Sequence, residues 1–191
     1  METKNILMVG VGGQGTILAS KILSEGLVEL GYDVKMSEIH GMSQRGGSVS
    51  TQIRYGKEVF APTIGAGEAD IMVSFETMEA ARYIGMVKPD AKIIINRYRI
   101  FPPDVLAGEC DYPDTIIDDL SAKLDVISLD AAGIAAGLGN PKCMNIVLLG
   151  ALIKGMGLDT ADWDSIIAKM VKPQFVELNR KALRAGMDAV E

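Results

Sequence analysis

KNILMVGVGGQG, residues 4–15, is an apolar run that ends in glycines. Eight apolar-rich residues without alternation suit a strand buried on both faces, as in a parallel sheet. Gly10, Gly12, Gly13, Gln14 and Gly15 then follow the G-x-G-x-x-G pattern, directly after the strand and directly before a helix. Over 16–30 the residues Leu18, Ile22, Leu23, Leu27 and Leu30 recur at helical spacing, and Gly31 stops the helix. A second strand is predicted over 33–39. Strand, glycine turn, helix and strand make the opening of a βαβ unit. The fold class is therefore α/β, a Rossmann-like and mostly parallel sheet flanked by helices. Glycines at such a turn let backbone N–H groups and a helix N-terminus approach an anion. The same turn also suits a close-packed connection that binds nothing, so the motif alone leaves both readings open.

Outward from this unit the pattern changes. Val49, Thr51, Ile53 and Tyr55 alternate with Ser48, Ser50, Gln52 and Arg54. A turn at Gly56 and Lys57 leads into Glu58, Val59 and Phe60, which predicts an inserted antiparallel β-hairpin over 48–60. Further strands are predicted over 69–75, 92–96 and 125–129, with helices over 76–86, 114–120 and 131–138. The C-terminal part reads as helical. Asn140 and Pro141 open a helix to about residue 156 whose Gly150, Ala151 and Gly155 predict close helix packing. Trp163, Ile166, Ile167 and Met170 form one apolar stripe; Val176, Leu183, Met187 and Val190 form another. With no repeat or low-complexity linker, residues 1–191 are read as one domain.

Composition excludes several roles. The 19 basic and 25 acidic residues give a formal charge of −6. The basic runs 96–99 and 179–181 are too short for a phosphate-tracking face, so nucleic acid is not an expected partner. Two cysteines, Cys110 and Cys143, lie too far apart in sequence for a cluster motif, and they fit free thiols in a reducing cytoplasm. No signal peptide is expected. The longest apolar run, 144–153, is too short to span a bilayer, so no membrane association is expected. The eleven methionines read as core filler.

Candidate chemistry concentrates in two places, the glycine turn and the loop of 38–48. The loop carries the chain's one histidine, His40, together with Arg45, Gly46 and Gly47. It follows a strand, and ligands of open α/β sheets bind at that carboxyl edge. Arg45 beside two glycines offers a bidentate donor to phosphate or carboxylate; alternatively it pairs locally while the glycines turn the chain. Both segments belong to one βαβ unit and are predicted to meet at one cleft. Glu38 stands where a dinucleotide fold places a ribose-binding carboxylate, but no catalytic set for a dehydrogenase follows. Glu76 and Glu79 open a helix, where they favour its dipole. A free-standing NAD-dependent dehydrogenase and a non-enzymatic assembly module remain as alternatives on residue chemistry alone.

Together, GVGGQG at 10–15 with TILASKIL at 16–23, and HGMSQRGGSV at 40–49, resemble the gamma-type domain of 2-oxoacid:ferredoxin oxidoreductases, in particular the indolepyruvate type. Gln14 is the discriminating residue, because ordinary dinucleotide turns do not require Gly-Gly-Gln-Gly. The likeness continues through Ala69 and Asp70 and through ELNRKAL at 177–183. The resemblance implies a small subunit that assists coenzyme A-dependent oxidative decarboxylation, with electrons passing to ferredoxin. It implies thiamine diphosphate and iron–sulfur clusters on a larger catalytic partner, none being bound by this chain alone. It further implies a contribution to coenzyme A binding from Gly10, Gly12, Gly13, Gln14, Gly15, Arg45, Gly46 and Gly47. An obligate subunit presents an apolar interface. The helix after Pro141 or the 48–60 hairpin is expected to carry it, with self-association of the isolated chain as a consequence.

Overall fold

The computed structural model describes residues 2–40 and 47–190. Among them, strands β1 (Lys4–Val11), β2 (Asp33–His40), β3 (Ser48–Gly56), β4 (Ala69–Ser74), β5 (Val87–Asn96) and β6 (Asp125–Leu129) form one sheet in the order β2-β3-β1-β4-β5-β6. β1, β4, β5 and β6 run parallel, whereas β3 is antiparallel to both of its neighbours, β1 and β2. β2 is therefore parallel to β1 but one strand removed from it.

The antiparallel element thus differs from the hairpin expected over 48–60. β3 pairs with strands earlier in the chain, and residues 58–60 form no strand. The reason lies on its polar face. Arg54 donates to Asn5 Oδ1 at 2.9 Å and to the carbonyls of Ala61 and Thr63 at 3.1 and 3.2 Å. Gln52 Oε1 accepts from Ile64 N at 2.6 Å. These side chains draw the segment after Gly56 back over the sheet, so the alternating polar residues end up covered rather than solvated.

Helices cover both faces. α1 (Thr16–Glu29), α5 (Ala131–Gly137), α6 (Met144–Gly155), α7 (Trp163–Met170) and α8 (Val176–Asp188) enclose the larger core with Ile6, Met8, Ile53, Val73 and Ile94. α2 (Thr77–Arg82) and α4 (Ile116–Ser121) cover Leu7, Val9, Met72, Ile93 and Ile95 on the other face. Burial on both faces explains why β1 and β5 read as unbroken apolar runs. A four-residue helix, α3 (Pro103–Leu106), stands apart at the carboxyl edge. The helix expected over 76–86 is the shorter α2 followed by a 3-10 turn over Ile84–Met86.

α6 is buried from Met144 through Ile153, and α8 is what covers it. A Cβ at Gly150 would lie 2.0 Å from the Leu183 carbonyl oxygen, and one at Gly186 would lie 1.9 Å from that of Val147. The two helices therefore touch backbone to backbone. Close packing at Gly150 was legible in the sequence; Gly155 instead faces Ile94 of the sheet, at an ordinary 3.5 Å. The expected apolar interface on α6 is corrected accordingly, because the chain's own last helix occupies that face. β3 is likewise interior, between two strands. Of the 48–60 segment only Phe60 is an exposed large apolar side chain among the described residues, and others, including Phe101 and Leu106, lie elsewhere. No helix of the described residues is long and apolar enough to cross a membrane.

Candidate functional site

The glycine turn is built by its own backbone and by one amide. Gly13 and Gly15 adopt φ of +103° and +82°, a region that side chains disfavour. Gly15 caps α1 with no side-chain hydrogen bond, so the first-turn amides of α1 keep their donors free of any side-chain cap. Asn145 reaches from α6 to donate to the Gly15 carbonyl at 3.1 Å. Gln14 turns inward: its Oε1 accepts from Val11 N at 2.7 Å and its Nε2 donates to Phe75 O at 3.0 Å. The discriminating glutamine thus braces the end of β1 against the end of β4, and its polar atoms serve the backbone. Gly10 leaves room for that brace, since a Cβ there would sit 2.8 Å from Gln14 Oε1 and 2.9 Å from Phe75 Cβ.

The two sequence motifs meet at one edge of the sheet, but Gly12 to Gly15 line one cleft and Gly47 its neighbour, not the single cleft expected. Gly12 N donates to the Gly47 carbonyl at 2.8 Å, and Val11 pairs with Ser48 across β1 and β3. Because β2 is parallel to β1, the connection after it returns at the carboxyl edge that carries the glycine turn. Arg45 and Gly46 lie outside the described residues, as does the His40 side chain; the ends of their loop are fixed by the β2–β3 pairing of His40 with Val49.

Among the described residues, a cleft opens on this edge on either side of Ile100. The first, of about 630 Å³, is lined by Gly12, Gly13, Gln14, Gly15, Tyr98 and Lys142 among others. Lys142 follows the Asn140–Pro141 cap, where Asn140 Oδ1 accepts from Lys142 N at 3.0 Å. That lysine is a cation beside the glycine turn which sequence reasoning missed. The cap signal was visible, but nothing in one dimension tied residue 142 to residue 12. The second cleft, of about 410 Å³, is lined by Gly47, Ser48, Glu76, Glu79 and Arg82, with Phe101 and Leu106 at its wall.

Glu76 and Glu79 open α2 as the sequence suggests, and both are buried, being 1% and 3% exposed. Glu76 does cap α2, its Oε2 accepting from Glu79 N at 3.0 Å. Its Oε1 also accepts from Ile100 N at 3.1 Å and from Tyr112 Oη at 2.8 Å. Glu79 accepts from Ser48 Oγ and lies 3.5 Å from Arg82 Nε. Burial lifts the Glu79 carboxyl above its ordinary range; the Ser48 bond and Arg82 work against the lift, and Glu76 adds to it. Burial, with the bond to Glu76, raises the Tyr112 phenol as well.

Glu38 stands on β2, opposite Thr51. With β3 interposed, it lies two strand spacings from β1, about 10 Å rather than the about 5 Å between neighbours. The ribose geometry of a dinucleotide fold is therefore not reproduced. Among the described residues no three His, Cys, Asp or Glu side chains converge as a metal site, and Cys110 and Cys143 are free thiols.

Residues 5–189 match the family described as pyruvate ferredoxin/flavodoxin oxidoreductase. The indolepyruvate oxidoreductase subunit IorB of Pyrococcus horikoshii is 35% identical over 199 residues, covering 100% of this chain and 98% of its own length. IorB of Archaeoglobus fulgidus is 38% identical over 187 residues, 95% of this chain and 92% of its own. The crystal structure of pyruvate oxidoreductase subunit PORC from Thermotoga maritima superimposes with a TM-score of 0.74 at 22% identity, covering 98% and 97% of the two chains. 2-Oxoglutarate:ferredoxin oxidoreductase from Magnetococcus marinus, with 2-oxoglutarate, coenzyme A and succinyl-CoA bound, gives 0.75 at 16% identity; all of this chain matches 31% of that longer one. At these identities the two structures speak for the fold alone.

Proposed function

Because this chain belongs to the pyruvate ferredoxin/flavodoxin oxidoreductase family, we propose that it is the small subunit of an indolepyruvate-type 2-oxoacid:ferredoxin oxidoreductase. On this reading residues 1–191 form one domain, which assists coenzyme A-dependent oxidative decarboxylation on a larger subunit. That partner carries thiamine diphosphate and the iron–sulfur clusters, and passes electrons to ferredoxin. The two free thiols fit a cytoplasmic setting.

One observation carries the site assignment: the Gly12–Gly47 hydrogen bond, which joins the glycine turn to the arginine loop at the sheet's carboxyl edge. Helix amides supply roughly half a positive charge at the turn, and Lys142 stands at the rim of the same cleft. Arg45, three residues before Ser48, adds a second cation on this reading. The arrangement suits the phosphates of coenzyme A, held by Gly12, Gly13 and Gly15 through backbone approach, with Gln14 keeping the turn in shape, Gly10 leaving room for its amide and Gly46 and Gly47 letting the arginine loop close against the turn.

The test combines the chain with its large subunit and follows coenzyme A-dependent reduction of ferredoxin or a dye by an aryl pyruvate. Neither component alone is expected to turn over. Arg45→Ala in the assembled enzyme is expected to raise the coenzyme A concentration needed for half-maximal rate. An unchanged rate and coenzyme A dependence would remove Arg45 from the site. Turnover by this chain alone with NAD would overturn the subunit assignment.

A further inference from the structure

We propose that the apolar ridge Phe101–Leu106, with the acidic cleft beneath it, is the docking surface for the larger catalytic subunit, which seats a lysine or arginine side chain beside Glu79. The proposal rests on the subunit assignment above. Its first ground is the way the ridge is held. Leu106 is 73% exposed and Phe101 46% exposed. Scattered exposed apolar residues are ordinary on any surface, but this pair is braced from below by a buried carboxylate. Glu76 fixes Ile100 N and Tyr112 Oη, and the Tyr112 ring meets Phe101 edge-on with centroids 5.3 Å apart. Arg99 lies over the same tyrosine, 5.1 Å from its centroid, and pairs with Asp114. Pro102 and Pro103 start α3, fixing φ at the base of the ridge. Burying a carboxylate is costly unless its hydrogen bonds are met in full. Here two of the three bonds come from groups that orient the ridge, Ile100 N and Tyr112 Oη. An apolar feature made rigid in advance lowers the ordering cost of association, which is what a docking anchor needs.

The second ground is charge. Among the described lining residues of the cleft, Glu76 and Glu79 face one cation, Arg82. Glu76 accepts three hydrogen bonds, whereas among the described residues Glu79 Oε1 has only Arg82 Nε at 3.5 Å. The remaining walls include Met78, Ile100, Phe101 and Leu106. An apolar wall that ends in an under-compensated carboxylate fits the aliphatic stem and charged head of a basic side chain. An anionic ligand would be repelled, and a purely apolar one would leave Glu79 desolvated with no gain. Ile100 lines both clefts, so a partner seated here lies against the glycine turn as well.

The experiment measures the affinity of the full chain for its large subunit, for wild type and for Leu106→Asp, Glu79→Gln and Phe60→Asp. Leu106→Asp is expected to weaken binding at least about tenfold, as loss of a central anchor does. Glu79→Gln is expected to weaken it and to flatten its dependence on salt, because one ion pair is removed. Phe60→Asp changes a residue that is 87% exposed and outside both clefts, and is expected to bind like wild type. Thermal unfolding of Leu106→Asp, unchanged at so exposed a position, keeps a binding loss from being a folding loss. If wild type fails to bind a thiamine-carrying large subunit, the subunit assignment itself falls. If wild type binds and Leu106→Asp and Glu79→Gln bind equally well, the assignment stands and this docking surface is overturned.

Discussion

Gln14 shows how far a motif can be recognised before its work is understood. The sequence marks it as the residue that sets this turn apart, and the structure puts both ends of its amide on backbone atoms of different strands. Gln14→Ala leaves Val11 N without its partner, at about 1–3 kcal/mol for a group left unsatisfied, whereas Phe75 O keeps the Asn96 Nδ2 bond at 3.1 Å. Gln14→Glu keeps the acceptor but faces the Phe75 carbonyl with a second oxygen, and is expected to be the less stable variant at neutral pH. Urea midpoints check the order. The two positive-φ glycines of this turn separate in the same assay. Gly13→Ala meets no atom within 4 Å, and so carries only the backbone penalty of about 1–2 kcal/mol. Gly15→Ala adds a contact 2.6 Å from Asn145 Nδ2, and is expected to lose more. Glu79 offers a pH test. Its folded pKa is raised above 4.5, so the folded state holds the proton more tightly than the unfolded chain does. The stabilisation from this group is full below pH 4.5 and is lost as pH rises through the folded pKa. The melting temperature of Glu79→Gln relative to wild type is therefore expected to climb across that window. A difference independent of pH would mean that the carboxyl is not perturbed. The sequence could not show this residue's burial, because a helix-opening glutamate looks the same whether or not α4 and the 98–106 segment close over it.

Among the elements, α6 and α8 give the sharpest contrast between intrinsic preference and packing. Alanine is favoured over glycine inside a helix by about 1 kcal/mol, so propensity alone makes Gly150→Ala and Gly186→Ala stabilising. Contacts of 2.0 and 1.9 Å with backbone carbonyls decide otherwise. The helices would have to separate, and overpacking of this kind costs about 1–3 kcal/mol. Gly155→Ala, with Ile94 Cδ1 at 3.5 Å, is expected to be neutral or mildly stabilising. Thermal unfolding of the three variants tests the reversal. Gly150 was legible because small residues clustered around it; Gly186 was hidden among the charged residues of α8, whose apolar stripe alone was read. The strand at 48–56 was legible for the converse reason, since period-two alternation marks any strand. Alternation does not name a partner, and β3 found its partners upstream, in β1 and β2, instead of in the nearest turn.

Across the whole molecule, the α/β class, the parallel β1-β4-β5-β6 set and the meeting of two motifs at one edge follow from local patterns. The second cleft, Lys142 and the exposed ridge do not, because each depends on segments brought together from distant parts of the chain. The strand order has a further consequence, which concerns time rather than shape. α1 links two parallel strands, β1 and β2, that are free to zip directly side by side while the chain is still folding. The native sheet requires that seam to stay open until a strand of opposite direction has filled it. Premature closure would be an off-pathway trap, from which escape means tearing apart a ladder already made. Insertion of β3 is then expected to set the refolding rate. Ile53→Val, a trim of about 0.5–1.5 kcal/mol at a fully buried β3 position, is expected to slow refolding with little change in unfolding, as contacts formed in the transition state do. The same trim at Ile93 in β5 is expected to speed unfolding and leave refolding alone. Chevron plots that show the opposite assignment would place the slow step on the other side of the sheet.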